Sequence, residues 1–172
     1  RIVVLPLFPQ ASGTTTGPVY DQVGATARDW RALPDLHLIG NYHADDGYIG
    51  ALANSVREHW QQHGRTAQLL MSFHGIPQRC VDRGDLYAEQ CRATATRLAA
   101  ALALGGSEWT LSFQSRFGKA RWLTPATDRV LEEFPARRGY RLEDRLEAFA
   151  GLGEAETIAR VKCDYRETLS DL

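Results

Sequence analysis

An α/β fold with a mainly parallel sheet is predicted by two observations. Short apolar runs of strand character alternate with longer stretches of helical periodicity along most of the chain. Polar clusters fall just past three of the strand-like runs, the place where open parallel sheets bind ligands.

The elements follow in order. "RIVVLPLF" is a continuous apolar run ending at Pro9, so a buried strand is expected. "PQASGTTTGP" is a loop rich in Gly, Ser and Thr. "VYDQVGATARDW" places Val19, Val23, Ala27 and Trp30 at helical spacing, and "DLHLIGNY" reads as a short strand. "DDGYIGALANSVREHWQQHG" is a long amphipathic helix with Asp45 or Asp46 as cap and Gly64 as stop. Ile49, Leu52, Ala53, Val56 and Trp60 form its apolar stripe.

"AQLLMSFHG" is the next strand. "DLYAEQCRATATRLAAALAL" is a second long helix, closed by Gly105 and Gly106. "EWTLSFQS" is a further strand. "TPATDRVLEEFPARRG" is a shorter helix with Thr124 expected as N-cap and Pro125 at the first helical position. From residue 140 the text becomes charged and mostly helix-like, with a short strand at "TIARVKC" only weakly signalled.

With 172 residues, the chain is long enough for one domain with a core and a piece of a second. A net charge of −1 leaves no electrostatic footprint for nucleic acid or an anionic membrane. No apolar run approaches the roughly 20 residues of a membrane span. The chain opens inside a strand, with neither a starting Met nor a basic region before a long apolar stretch. An upstream portion is therefore expected and a signal peptide is not. Cys80, Cys91 and Cys163 share no CxxC spacing, which fits a reducing cytoplasm and no iron–sulfur cluster.

Three polar clusters mark the expected carboxyl ends of strands: Pro9-Gln10-Ala11-Ser12 with the Thr-rich loop, Ser72-Phe73-His74-Gly75, and Gln114-Ser115-Arg116. The loop "SGTTTG" lacks both common phosphate-binding patterns, and "SFHG" is no nucleophile elbow. Of five histidines, His37 lies in a strand and His43 just before a helix. His59 and His63 are i, i+4 near a polar helix end, where a solvated face is the expected reading over a metal site. His74 differs. It follows an apolar strand and precedes a glycine that permits close backbone approach. A core imidazole, a metal ligand and a proton acceptor all remain open for it.

In "DYRETLSDL", Asp164, Glu167 and Asp171 stand at i, i+3 and i+7. On a helix these carboxylates line one face, either as a solvated acidic surface or as a path for a hydrated divalent cation.

The stretches "LPLFPQASGTTTG", "NYHADDGYIGALANSV", "LLMSFHGIPQRCVDRGDLYAEQC" and "TLSFQSRFGKARWLTPATD" together make the chain resemble the ferrochelatases, in the family's order and of bacterial type. "SFHGIP" and "FQSRFG…W" are the most specific. The resemblance implies a lyase that inserts Fe²⁺ into protoporphyrin IX, yielding protoheme and two protons as the final step of heme biosynthesis. It implies two similar Rossmann-like domains with the active cleft between them, of which this chain holds mostly one. Residues 1–18 would end the first domain and carry an active-site loop, and 19–139 would form the main chelatase-like domain. Residues 140–172 form a helix-rich segment ending in the acidic helix; 140–163 depart from the family's strand and Pro-Gly-Phe-like turn.

His74 matches the family's histidine beside the porphyrin, a metal ligand or the acceptor of pyrrole protons. Glu167 matches the carboxylate of D-x-x-E-T-L that faces it, with Asp164 and Asp171 on the acidic row leading there. The metal set is thus His74, Glu167, Asp164 and Asp171; Ser12, Gln114, Ser115 and Trp122 are tetrapyrrole-contact candidates. Protoporphyrin IX and Fe²⁺ are the expected partners, in the cytoplasm. Peripheral membrane association stays open, without a basic amphipathic helix to carry it. Two other readings remain: a cobalt or nickel chelatase for another tetrapyrrole, and a non-catalytic tetrapyrrole- or metal-binding module derived from a chelatase.

Overall fold

The computed structural model describes residues 1–65 and 68–138. Two units separate by their internal contacts, residues 1–126 and 127–172. In the first, β1 (Ile2–Val4), α1 (Thr16–Ala27), β2 (Leu36–Leu38), α2 (Asp46–His63), β3 (Leu69–His74), α3 (Gln78–Asp82), α4 (Tyr87–Ala101) and β4 (Trp109–Gln114) follow one another. The second contributes α5 (Thr127–Arg138). β1 pairs with β2 and β3 with β4, both in parallel, so the α/β class with parallel pairing and flanking helices holds. The β1–β2 ladder crosses the division drawn between residues 18 and 19.

α2 starts where its sequence says. The Asp45 carboxylate accepts from the Tyr48 N–H at 2.9 Å, satisfying one of the orphan donors of the first turn. Gly64 ends it at φ 83, a backbone region that L side chains avoid. The expected stripe faces inward, with Ile49 and Ala53 buried and Leu52, Val56 and Trp60 half-buried. It packs on α4 and β3, where Ala53, Met71, Ala95, Leu98, Ala99 and Leu102 form one core cluster. Three alanines among these six let the two helices and the strand approach closely. Each large apolar side chain so buried contributes about 1.5–3 kcal/mol. A second cluster of Ile76, Tyr87, Ala88, Cys91, Phe113 and Leu123 closes the carboxyl end of β3 and β4.

Four local expectations are corrected. β1 spans only Ile2–Val4 and is not buried; Val3 is 56% exposed and Leu7 81%. An apolar run marks what a strand can bury, not what lies against it, and among the described residues β1 pairs with β2 alone. α1 begins at Thr16, inside the Thr loop, because Pro18 falls in its first turn, where a missing N–H costs nothing.

α4 does not run to Gly105. It ends at Ala101, and Ala103 takes the left-handed conformation at φ 53. The Ala103 and Leu104 N–H groups donate back to Ala100 and Ala99 carbonyls at 3.0 and 2.9 Å, a Schellman closure without glycine. Finally, Thr124 and Pro125 do not open α5, which starts at Thr127. Their peptide bond is cis, and the Pro125 carbonyl accepts from the Phe113 N–H at 2.8 Å. That segment extends the β4 edge, so tertiary pairing overrides the local capping signal.

Candidate functional site

β3 alternates its side chains. Leu69, Met71 and Phe73 join the core cluster, so Leu70, Ser72 and His74 take the other face. His74 is the last residue of the strand and stands opposite Gln114 in the parallel register. The next backbone amide, Gly75 N–H, donates to the Gln114 carbonyl at 2.8 Å. A Cβ on Gly75 would lie 2.8 Å from that oxygen and 3.4 Å from Trp122 Cε3. Only glycine lets the three segments converge here, as the sequence implied for this position.

Trp122 is fixed at both ends. Its backbone bridges to Pro77, and its indole Nε1–H donates to the Phe117 carbonyl at 2.7 Å. Ser115, directly after Gln114, sits at φ 66, where the chain turns sharply away from β4. The structure thus brings together four of the named residues, His74, Gln114, Ser115 and Trp122, around the end of the β3–β4 pair.

His74 is exposed, yet the surrounding protein desolvates its imidazole enough to pull the pKa below the ordinary 6.5. At neutral pH the ring is therefore mainly uncharged. Along β3 runs an open cleft of about 400 Å³, lined by residues of the strand, Ser72 and His74 among them, and by Gln10, Tyr48, Tyr87 and Thr94. Leu52, Val56 and Leu98 line its apolar side.

Gln10 is the residue that sequence reading passed over for its neighbour Ser12. Gln10 is buried and donates through Nε2 to Thr94 Oγ1 at 2.9 Å. Ser12 is outside the cleft lining; its hydroxyl donates to Asp85 Oδ2 at 2.7 Å. The same carboxylate oxygen accepts from Gly13 N–H at 2.9 Å, while Oδ1 accepts from Tyr87 N–H at the start of α4. The Ala11 N–H donates to Gln90 Oε1 at 2.7 Å. Residues 10–13 are thus templated on successive turns of α4 and its lead-in, through Asp85, Gln90 and Thr94. The local signal for this was present in "PQAS", which ends a strand-like run, but its partners lie far along the chain.

Two neighbouring titratable groups stay neutral. Burial pushes the Cys91 thiol up to about 12 and raises the neighbouring Tyr87 phenol, so both stay protonated. His43, drawn down by burial and by Arg97, gives its backbone carbonyl to Thr94 Oγ1 at 2.8 Å. His59 and His63 stack with ring centroids 4.4 Å apart on an exposed stretch of α2. Glu167, Asp164 and Asp171 lie outside the described residues, as does Cys163. Among the described residues no helix is long and apolar enough to cross a membrane.

A parallel α/β unit with a histidine at the carboxyl end of β3 and a pinned tryptophan packed at the glycine that follows it is a domain of the Rossmann-like class. Comparison with known proteins makes this specific. The family model described as Ferrochelatase matches residues 1–169, and the chain belongs to the ferrochelatase family. That match runs through 140–163 and includes Asp164 and Glu167. The chain is similar to the ferrochelatase of Thioalkalivibrio sulfidiphilus, at 47% identity over 97% of this chain and 45% of that protein. It is 52% identical to the ferrochelatase of Methylococcus capsulatus over 79% of this chain and 42% of that protein. With the ferrochelatase of Aeromonas hydrophila it shares 48% over 97% of this chain and 51% of that protein. The chain spans about half the length of the curated relatives it matches.

Proposed function

We propose that this chain forms the histidine-bearing half of a ferrochelatase, a lyase that inserts Fe²⁺ into protoporphyrin IX with release of two protons. The observation that carries the reading is His74: an imidazole held neutral at the carboxyl end of β3, over a cleft, in a chain of this family. A porphyrin presents inward-pointing nitrogens, two of them protonated. Insertion needs a base of near-neutral pKa, or a ligand that hands the ion over, and a neutral imidazole suits either role.

In this reading Ser12, Gln114, Ser115 and Trp122 contact the macrocycle. Glu167 faces His74 across the ring, with Asp164 and Asp171 delivering the hydrated ion. The strain that exposes the pyrrole nitrogens comes from remote binding energy across the cleft. The domain division expected from the sequence is part of the proposal, as is a cytoplasmic setting, which the sparse cysteines support.

The test is metal insertion by the full-length protein, followed as loss of free-base porphyrin fluorescence. His74→Ala is expected to abolish insertion while the protein stays folded by circular dichroism. Glu167→Gln is expected to cut it severely at unchanged stability. Near-normal insertion by His74→Ala overturns the assignment.

A further inference from the structure

His59 and His63 stand one turn apart at the exposed end of α2. Their spacing alone reads as a solvated face, but three features of the structure change that reading. First, the two rings lie together, with centroids 4.4 Å apart and planes 25° from parallel. Two imidazoles bound to one ion, each with a ring nitrogen about 2 Å from it, hold their centres roughly 4.5–5 Å apart. The pair is therefore already near the spacing of a chelate. Second, His63 Nδ1 lies 3.1 Å from the His59 carbonyl oxygen. A carbonyl only accepts, so Nδ1 carries the proton and, in the neutral ring, Nε2 keeps the lone pair. A backbone carbonyl holding the far nitrogen is a common way for a metal-binding histidine to be oriented. Third, the pair sits at the carboxyl end of an 18-residue helix, where the helix dipole favours a cation.

The neighbouring cations are turned elsewhere. Arg57 donates to the Ala101 carbonyl at 2.6 Å. Arg65 lies over the Trp60 ring at 5.2 Å and pairs with Glu108 Oε1 at 2.8 Å. Among the described residues neither histidine forms an ion pair with an acid.

We propose that His59 and His63 form a bidentate surface site for a borderline divalent transition-metal ion of the Ni²⁺, Cu²⁺ or Zn²⁺ class, with water filling the remaining positions. Among the described residues no group of three or more His, Cys, Asp or Glu gathers, so the protein supplies two ligands here. The site is separate from His74. α2 leads through Gly64 to the start of β3, whereas His74 is the last residue of that strand. Fe²⁺ is held more weakly by such a nitrogen pair than Ni²⁺ or Cu²⁺. The inference does not depend on the proposed function.

The experiment titrates the untagged full-length protein with Ni²⁺ alone, by calorimetry, in a His74→Ala background so that the cleft imidazole takes no part. One ion is expected to bind through this pair. His59→Asn and His63→Asn should each weaken it by at least about tenfold, because the second ligand of a chelate binds intramolecularly. The double variant should lose little more than either single one. Gln61→His combined with His63→Asn keeps two histidines on the helix but places them two positions apart, on different faces, and should not restore binding. All these positions are exposed, so circular dichroism without metal should not change. Substoichiometric Ni²⁺, which is paramagnetic, should broaden the ring signals of His59 and His63 together, before those of His37 and His43. Binding that survives in the double variant, additive losses in the single variants, broadening of one ring alone, or recovery with Gln61→His each overturn the chelate. Stacked rings that bind no Ni²⁺ overturn the site altogether and leave ring stacking as the whole reason for the pair.

Discussion

Gly75 donates its N–H to the carbonyl of Gln114 at 2.8 Å, and an added Cβ would sit at the same 2.8 Å from that oxygen. The contact is backbone against backbone, so no side chain can swing aside to relieve it. Gly75→Ala must push β3 and β4 apart where His74 and Gln114 face each other. The expected cost is about 1–3 kcal/mol of stability, by analogy with overpacking of tight interiors. Urea unfolding measures it. A change under about 0.5 kcal/mol shows that the strand ends yield freely and that the glycine is dispensable. On the proposed function, porphyrin affinity should fall with the same substitution, because His74 and Trp122 flank this contact.

Sequence alone placed His74 because the signal is local: an apolar strand, then an imidazole, then a glycine and a proline within four residues. Its position opposite Gln114 could not be read that way, since parallel register depends on a crossover of some thirty residues. The same limit hid Asp85, whose two loop partners, Ser12 and Gly13, lie 73 and 72 positions away, and the Gln10–Thr94 pair, 84 positions apart. Periodicity reports which face a residue takes on its own element and nothing about polar contacts between elements. It likewise misread β1, where an apolar run fixed the character of the strand and not its covering. At Pro125 a sound local capping signal lost to a ladder hydrogen bond with Phe113.

The Asp85 carboxylate ties Ser12, Gly13 and Tyr87 together, so its loss strands three donors at once. Asp85→Ala is expected to cost about 2–3 kcal/mol, since hydrogen bonds to charged groups contribute more than neutral ones. Ser12→Ala should cost about 1 kcal/mol. The double variant should lose less than the sum of the two, because both remove the same bond. Hydrogen exchange at the Gly13 amide gives an independent reading: it should accelerate strongly in Asp85→Ala and little in Ser12→Ala. Additive losses in the cycle would show that Ser12 and Asp85 are not coupled.

The lowered pKa of His74 has a definite sign for stability. The unfolded imidazole titrates near 6.5 and the folded one below it, so between those values the unfolded chain binds more protons. Stability is therefore fully present above pH 6.5 and falls as the pH drops through the folded pKa. His43 is shifted in the same direction and adds to the slope. His74→Asn should flatten part of that slope and leave the share that belongs to His43. Proton NMR of the His74 ring should give a midpoint below 6.5. A midpoint at or above 6.5 means that a nearby anion outweighs the desolvation, and the imidazole would then be charged for much of the range in which a base is needed.

Ala103 supplies a stabilising change that leaves the cleft untouched. It occupies the position after the α4 C-cap at φ 53, where an L side chain crowds its own carbonyl and glycine does not. The closure is otherwise complete, with both back-donated hydrogen bonds in place and Leu102 buried in the core cluster just before it. Ala103→Gly removes the conformational penalty and loses no contact of consequence, because the side chain is exposed. The extra freedom of glycine in the unfolded chain offsets part of the gain. A net stabilisation of about 0.5–1 kcal/mol is expected, visible as a higher urea midpoint at an unchanged slope. Substituting Val at the same position, which is β-branched and tolerates this conformation least, should lower the midpoint instead. If glycine and valine shift it in the same direction, the left-handed closure of α4 is not the conformation that governs stability there.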